Sequence, residues 1–457
     1  MKKLLGIVVL GLLLSSNAFI VKAAEDNALG RTEFVNNVTD FNMWLNDNDY
    51  HQYLNLEPRE VCKGKKNNAY YIARCNLFEG SNNLKIKFYK NRWQVPFKAN
   101  PNRDTLIYYL WKTINHPYSF TFHTYEIKPS NNPYEFKSNL RKDEHVKKEI
   151  KQTGVLSYLL FENDEIVIDE KSPDLGEFFN DKTKLRSNSM GKSMVGYLAG
   201  HAICSGYIDS IDTKLNDWPL IEKTLYHDQR LIDLLNMNTG DQKYGTYTMW
   251  DGTSNDDKNL VVYMQMMEGK KKSKSEYNYN TVVTNIIFNY IKHKTGDQFE
   301  NFLEDVFQRH VKIKNSVIFY KSRDLPDSGR ANSMFYADRY DYLRIAKTIM
   351  EDYQSNNCVG KYLKDIYERK VVKGANFNSE PSYGSTKTYG GQFHFDYPGL
   401  KDRPIFGMSG YAGNAILIDP ETSTIVALNS IHYNIKKSSI YNYDVKKLLI
   451  QPIQGRK

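Results

Sequence analysis

The chain has 457 residues, with 62 Lys+Arg against 53 Asp+Glu for a formal charge of +9, and 40% of it is hydrophobic. That length allows two or three domains, and a 13% aromatic content excludes a disordered chain. With 27 Gly, 14 Pro and 4 Cys it is neither collagen-like nor a disulfide-dense scaffold, and its interspersed acids and bases give no nucleic-acid footprint.

Residues 1–24 read as a secretory signal. Lys2 and Lys3 precede an apolar run from Leu4 to Leu14, and small residues follow at Ala18, Ala23 and Ala24. The run stops at Ser15, too soon for a stable membrane span. Cleavage is expected near Ala23 or Ala24, with an uncleaved anchor as the alternative. The expected destination is the periplasm or the exterior, where disulfides persist. Cys62 and Cys75, close together in a polar stretch, are the candidate disulfide. Cys204 and Cys358 read as a buried thiol and a loop thiol.

Residues 25–138 form an N-terminal accessory region of unassigned role. Alternating runs such as Leu84–Tyr89 and Tyr118–His123 predict strands, and Asp104–Ile114 predicts a helix. The remaining span, 139–457, has a different pattern. Asn139 to Thr153 is charged with helical period, and Gly154 ends it. Val155–Phe161 and Glu165–Asp169 predict a hairpin across Glu162-Asn163-Asp164. Asn414–Asp419 and Thr424–Ser430 predict a second hairpin, followed by a helix from about Tyr443 to Ile450. Strands at both ends and a helical middle predict an α+β domain with an inserted helical region. Within that middle, Lys270–Lys274 reads as a solvated loop, and the aromatics between Tyr244 and Trp250 either line a cleft or pack the helices.

The chemistry concentrates in short segments. In Ser187-Asn188-Ser189-Met190-Gly191-Lys192-Ser193, Ser189 and Lys192 are spaced i, i+3 and share a helix face. The apolar stretch Met194–Ile208 predicts that this helix is buried. A serine at such a helix start meets unpaired N–H groups and the positive end of the dipole. A desolvated lysine beside it can lose its proton and act as base. The bland alternative is Ser189 as an N-cap with Lys192 solvated. His394-Phe395-Asp396 sets two ligand-type side chains on one strand face, without a zinc spacing elsewhere, so no metal is expected.

Ser-Met-Gly-Lys-Ser, the following apolar helix and Leu231-Ile232-Asp233-Leu234-Leu235-Asn236-Met237-Asn238-Thr239-Gly240 together resemble the serine β-lactamase-like family. That group holds class C β-lactamases, penicillin-binding proteins, certain esterases and 6-aminohexanoate-dimer hydrolases. The resemblance covers about 139–455. It implies a β-lactamase-like antiparallel sheet flanked by helices. It places the catalytic tyrosine in Tyr277-Asn278-Tyr279-Asn280-Thr281, at Tyr279 with Tyr277 as the alternative. Free tyrosine and lysine titrate near about 10 and 10.4, so the pair would work as a coupled base.

The resemblance also matches Phe406-Gly407-Met408-Ser409-Gly410-Tyr411-Ala412-Gly413 to the family's last motif. It implies an oxyanion hole from the N–H groups of Ser189 and Tyr411, and substrate contacts at Ser409, Gly410 and His394. Met408 stands where the family has lysine or histidine. Methionine cannot pair a substrate carboxylate, although Lys401 or Arg403 could substitute. The resulting expectation is an exported serine hydrolase of a small or peptide-like ester or amide, without a cofactor. A β-lactamase or DD-peptidase, and an inactive binding protein of the same fold, are the alternatives.

Overall fold

The computed structural model describes residues 124–152, 155–173, 179–244, 260–321, 331–374, 386–397, 399–400, 403–410, 413–430 and 443–454, with two short strands at 87–89 and 92–94. Those two, β1 (Lys87–Tyr89) and β2 (Arg92–Gln94), pair antiparallel. The predicted strand at Leu84–Tyr89 thus has its second half in β1; Tyr118–His123 and Asp104–Ile114 lie outside the described residues, as do residues 1–24. Next come β3 (Thr124–Ile127), β4 (Lys137–Ser138), α1 (Glu144–Gln152), β5 (Val155–Glu162), β6 (Glu165–Lys171) and β7 (Leu185–Arg186). The helical stretch holds α2 (Met190–Cys204), α3 (Leu231–Leu235), α4 (Leu260–Met267), α5 (Thr281–Thr295) and α6 (Phe299–Glu304), which runs into a π-helical turn at Asp305–His310. Then follow β8 (Val317–Lys321), β9 (Ala331–Ala337), α7 (Arg339–Ser355), α8 (Cys358–Glu368) and β10 (Val371–Val372). The chain closes with β11 (Thr388–Gly390), β12 (Phe393–Phe395), β13 (Phe406–Gly410), β14 (Asn414–Asp419), β15 (Thr424–Ser430) and α9 (Tyr443–Gln454).

The larger sheet has nine strands in the order β10-β11-β12-β13-β14-β15-β5-β6-β4. Both predicted hairpins are present. Asn163 and Asp164 have φ of 49° and 66°, the left-handed values a two-residue hairpin turn requires. The hairpins meet at the sheet centre, where β15 pairs antiparallel with β5, Val426 opposite Leu160. The first and last parts of the domain are therefore neighbours, and the helical region is inserted between them. At the edge, β4 pairs parallel with β6. A second sheet, β3-β8-β9-β7, packs within the helical part. Through β3, paired with β8, residues before 138 join this sheet.

Alternation along the central strands explains the layers. Leu159, Phe161, Ile416, Ile418 and Ile425 face a core that includes α2 and α7. Tyr158, Leu160, Leu417, Val426 and Leu428 face the opposite core, with Val146 and Ile150 of α1 and Leu448 and Ile453 of α9. Each such side chain contributes roughly 1.5–3 kcal/mol when fully buried. The strands are apolar on both faces because both faces are covered by helices.

The helix α2 is buried along its whole length from Met190 to Ala202, as an apolar-all-round helix must be. Its far end is stapled. Cys204 and Cys358 form a disulfide with Cα atoms 5.8 Å apart, joining the end of α2 to the start of α8. This corrects the reading of two separate thiols: the partners are 154 residues apart, and only the packing of α8 on α2 brings them together. The candidate pair Cys62 and Cys75 lies outside the described residues. Lys270, Lys271, Lys272 and Lys274 are exposed, as a solvated loop should be. Among the described residues no helix is long and apolar enough to cross a membrane.

Candidate active site

The approach to α2 is fixed by backbone pairing. Ser187 N–H donates to Phe335 O at 2.8 Å, and Phe335 N–H donates to Ser187 Oγ at 3.1 Å. Asn188 then turns through φ 48°, delivering Ser189 to the helix start. Ser189 occupies the N-cap position, but its side chain makes no capping hydrogen bond. Lys192 is buried at 3% exposure. Neither half of the bland alternative holds: the serine does not cap and the lysine is not solvated. A Cβ on Gly191 would lie 1.9 Å from Ser333 O, so glycine there lets α2 press against β9.

Lys192 Nζ donates to Thr281 Oγ1 at 2.6 Å and reaches Ser189 Oγ at 3.4 Å. The same amine sits 5.0 Å from the centre of the Tyr279 ring, within cation–π range. Residues 189, 192, 279 and 281 thus meet, although the two segments are 89 residues apart. Tyr277 is buried and its ring centre lies 5.3 Å from that of Tyr389, while Tyr279 is half-buried beside Lys192. Between the two tyrosines, it is Tyr279 that faces the serine–lysine pair.

The tyrosine segment is held by a buried carboxylate. Asp241 Oδ1 accepts from Asn278 Nδ2 at 2.8 Å, and Asp241 Oδ2 accepts from Tyr226 Oη at 2.9 Å and Asn280 Nδ2 at 3.1 Å. Burial pushes the Asp241 carboxyl up from its ordinary range, and these donors only partly offset it. Asn280 in turn caps α5, accepting from Val283 N–H at 2.9 Å. Asn278 N–H donates to Met237 O at 2.8 Å. The segment Leu231–Gly240 and the tyrosine segment are therefore one unit, with Asp241 as its joint. Sequence reasoning stopped at Gly240 and did not single out Asp241.

The third side is β13. A Cβ on Gly410 would lie 2.3 Å from Ser187 O, so the end of this strand abuts the turn that carries Ser189. Ser409 is buried at 3% exposure next to it. Tyr411 lies outside the described residues. Met408 is fully buried in the core. Lys401 also lies outside the described residues. Arg403 pairs with Asp419 and Glu421, so it is committed to the β14 end and does not replace a cation at Met408.

His394 departs from its expected role as a substrate contact. It is buried at 3% exposure, opposite Gly407 in the sheet, and its Nδ1 lies 2.9 Å from Lys373 Nζ. Lys373, itself buried, also donates to Thr386 Oγ1 at 2.7 Å. Burial holds the Lys373 amine well below its ordinary value. Burial, then Lys373, then Lys192, hold the His394 imidazole well below its own. The His394 ring centre is 6.3 Å from that of Tyr279, so this pair supports the tyrosine from the sheet side. Asp396 accepts from Thr388 Oγ1 at 2.7 Å. Nothing local in the sequence marks Lys373, which reaches His394 across 21 residues.

No protein-family model matches the chain, and no curated protein matches it in sequence. Its backbone matches solved structures. A Bacillus anthracis protein assigned as a 6-aminohexanoate-dimer hydrolase superposes with a TM-score of 0.56 at 14% identity, over 74% of this chain and 91% of that one. A Bacteroides dorei protein assigned as a β-lactamase gives a TM-score of 0.49 at 14% identity, over 68% and 96%. EstCE1, a hydrolase with promiscuous acyltransferase activity, gives 0.46 at 12%, over 67% and 97%. The first of these carries the fold assignment. The chain has the serine β-lactamase-like fold.

Proposed function

We propose that the chain is an exported serine hydrolase that cleaves an ester or amide through an acyl-enzyme on Ser189. One arrangement carries this reading: the buried Lys192 amine placed between Ser189 Oγ and Thr281 Oγ1, with Tyr279 against it. Ser189 Oγ attacks the substrate carbonyl carbon and passes its proton to Lys192, with Tyr279 completing the relay. The carbonyl oxygen becomes an oxyanion, held by the backbone N–H groups of Ser189 and Tyr411. The C–O or C–N bond then breaks and the same groups return the proton to the leaving oxygen or nitrogen. Water, deprotonated in turn, attacks the acyl carbon, frees the acid and restores Ser189.

Met408 supports a substrate without a carboxylate at the usual place, because its core-buried thioether offers no charge there. That weighs against a β-lactam or a peptidoglycan stem peptide. The fold neighbour from Bacillus anthracis is assigned as a 6-aminohexanoate-dimer hydrolase, in keeping with this substrate class. Export is supported by the Lys2–Ala24 pattern and by the Cys204–Cys358 disulfide, a bond favoured outside the cytosol.

The deciding experiment is intact-mass analysis after fluorophosphonate treatment, with turnover of a short p-nitrophenyl ester measured alongside. The wild type should gain one adduct and turn over ester, and Ser189→Ala should do neither. A folded wild type that resists labelling and shows no Ser189-dependent turnover would make the chain a non-catalytic binder.

A further inference from the structure

At the opposite end of α2 from Ser189 three potential metal ligands converge. They are His201 in the last turn of α2, His310 at the end of the π-helical turn, and Asp352 on α7. Their donor atoms all lie within 4.8 Å of one another. His310 Nε2 is 3.0 Å from each carboxylate oxygen of Asp352. His201 is buried at 9% exposure, and its Nε2 has no hydrogen-bond partner. The two imidazole rings meet edge to face with centres 5.0 Å apart.

A buried nitrogen without a partner is costly, and an explanation is owed for each one. Here the orphan belongs to the same cluster as a second imidazole and a carboxylate. The carboxylate is also oriented from outside the cluster. Tyr197 Oη donates to Asp352 Oδ2 at 2.5 Å, and Asn357 Nδ2 donates to Asp352 Oδ1 at 2.8 Å. Such outer partners are what metal-binding carboxylates have. The π-helical turn that ends α6 has His310 as its last residue. His310 is the solvent-facing member of the three: its side chain is 38% exposed and borders a cavity of about 260 Å³ whose lining includes Lys312, Arg344, Lys347 and Glu351.

We propose that His201, His310 and Asp352 bind a divalent first-row transition metal of the zinc class. Two imidazole nitrogens and one carboxylate oxygen suit that chemistry, and water or a cavity-side ligand fills the open position. The site is separate from the serine. His201 follows Ser189 by twelve residues on one helix, which is about 18 Å along the axis. The ion would clamp α2, the 305–310 turn and α7 at the end where Cys204–Cys358 already ties α2 to α8.

The test uses full-length, tag-free protein treated with a chelator and then titrated with zinc chloride against a chromophoric competitor. The expected result is about one equivalent bound, with a raised Tm, and affinity lower by about tenfold or more in His310→Ala and in His201→Gln. His310 is partly exposed, so His310→Ala should stay folded, and circular dichroism checks this. X-ray absorption of the loaded protein should show two imidazole nitrogens at about 2.0–2.1 Å. Binding of well under one equivalent by the folded wild type would overturn the proposal. So would equal affinity in His310→Ala, which would assign the zinc to other surface groups.

Discussion

Lys192 Nζ lies 2.6 Å from Thr281 Oγ1 and 3.4 Å from Ser189 Oγ, so the threonine is the firmer of the two partners. The amine is thereby positioned by α5 before any substrate arrives. Thr281→Val should lower kcat by about tenfold to a hundredfold, the equivalent of about 1.4–2.8 kcal/mol, with little change in KM. Thr281→Ser should restore most of it. Steady-state kinetics on an ester that labels Ser189 measures both, and an unchanged kcat in Thr281→Val would remove Thr281 from the site.

Asp241 accepts three side-chain donors, from Tyr226, Asn278 and Asn280. Asp241→Asn keeps the shape but turns one acceptor into a donor facing donors. The variant should lose about 1–3 kcal/mol of stability and lose activity with it, because the tyrosine segment is no longer held. Urea denaturation with parallel assays reads this out. Full activity in Asp241→Asn would mean that the segment is positioned by other contacts.

Gly191 has no room for a methyl group, since its Cβ would approach Ser333 O to 1.9 Å. Gly191→Ala must push α2 away from β9 at the turn that carries Ser189. A stability loss of about 1–3 kcal/mol is expected, together with slower fluorophosphonate labelling at saturating reagent. Wild-type labelling would show that the turn absorbs the shift.

The Cys204–Cys358 disulfide closes a loop of 154 residues. Replacing both cysteines by serine should reduce stability by about 2–5 kcal/mol. Adding a reductant to the wild type should move its Tm toward that of the variant. If neither treatment changes the Tm, the cross-link adds nothing to this fold.

His394 supplies a pH dependence. In the folded chain, burial, Lys373 and Lys192 hold its imidazole well below the ordinary value, whereas an unfolded histidine titrates near about 6.5. Below that pH the unfolded chain binds the extra proton. The stability present above pH about 6.5 is therefore lost as pH falls toward the folded value. Denaturation midpoints should drop between about pH 7 and pH 5 in the wild type, and should drop less in His394→Phe. Equal slopes would mean that the His394 site tolerates the charge.

Much of this protein is local in sequence and was legible there. Apolar runs bounded by turn residues marked β5, β6, β14 and β15, and the 163–164 turn lies at the predicted place because Asn and Asp tolerate left-handed φ. Ser189 and Lys192 share a helix face by spacing alone. What lay beyond the sequence depends on long-range packing. Cys358 faces Cys204 only because α8 docks on α2, and Lys373 meets His394 only because the sheet folds it back. Arg403 turns to Asp419 rather than toward Met408, and His201 comes to Asp352 across 151 positions of chain. Period and turn chemistry act over a few residues, so the sequence by itself determined the two hairpins and the buried helix that follows Ser189. Partner choice among buried polar groups is decided by which surfaces exclude water together, and that only the tertiary structure decided.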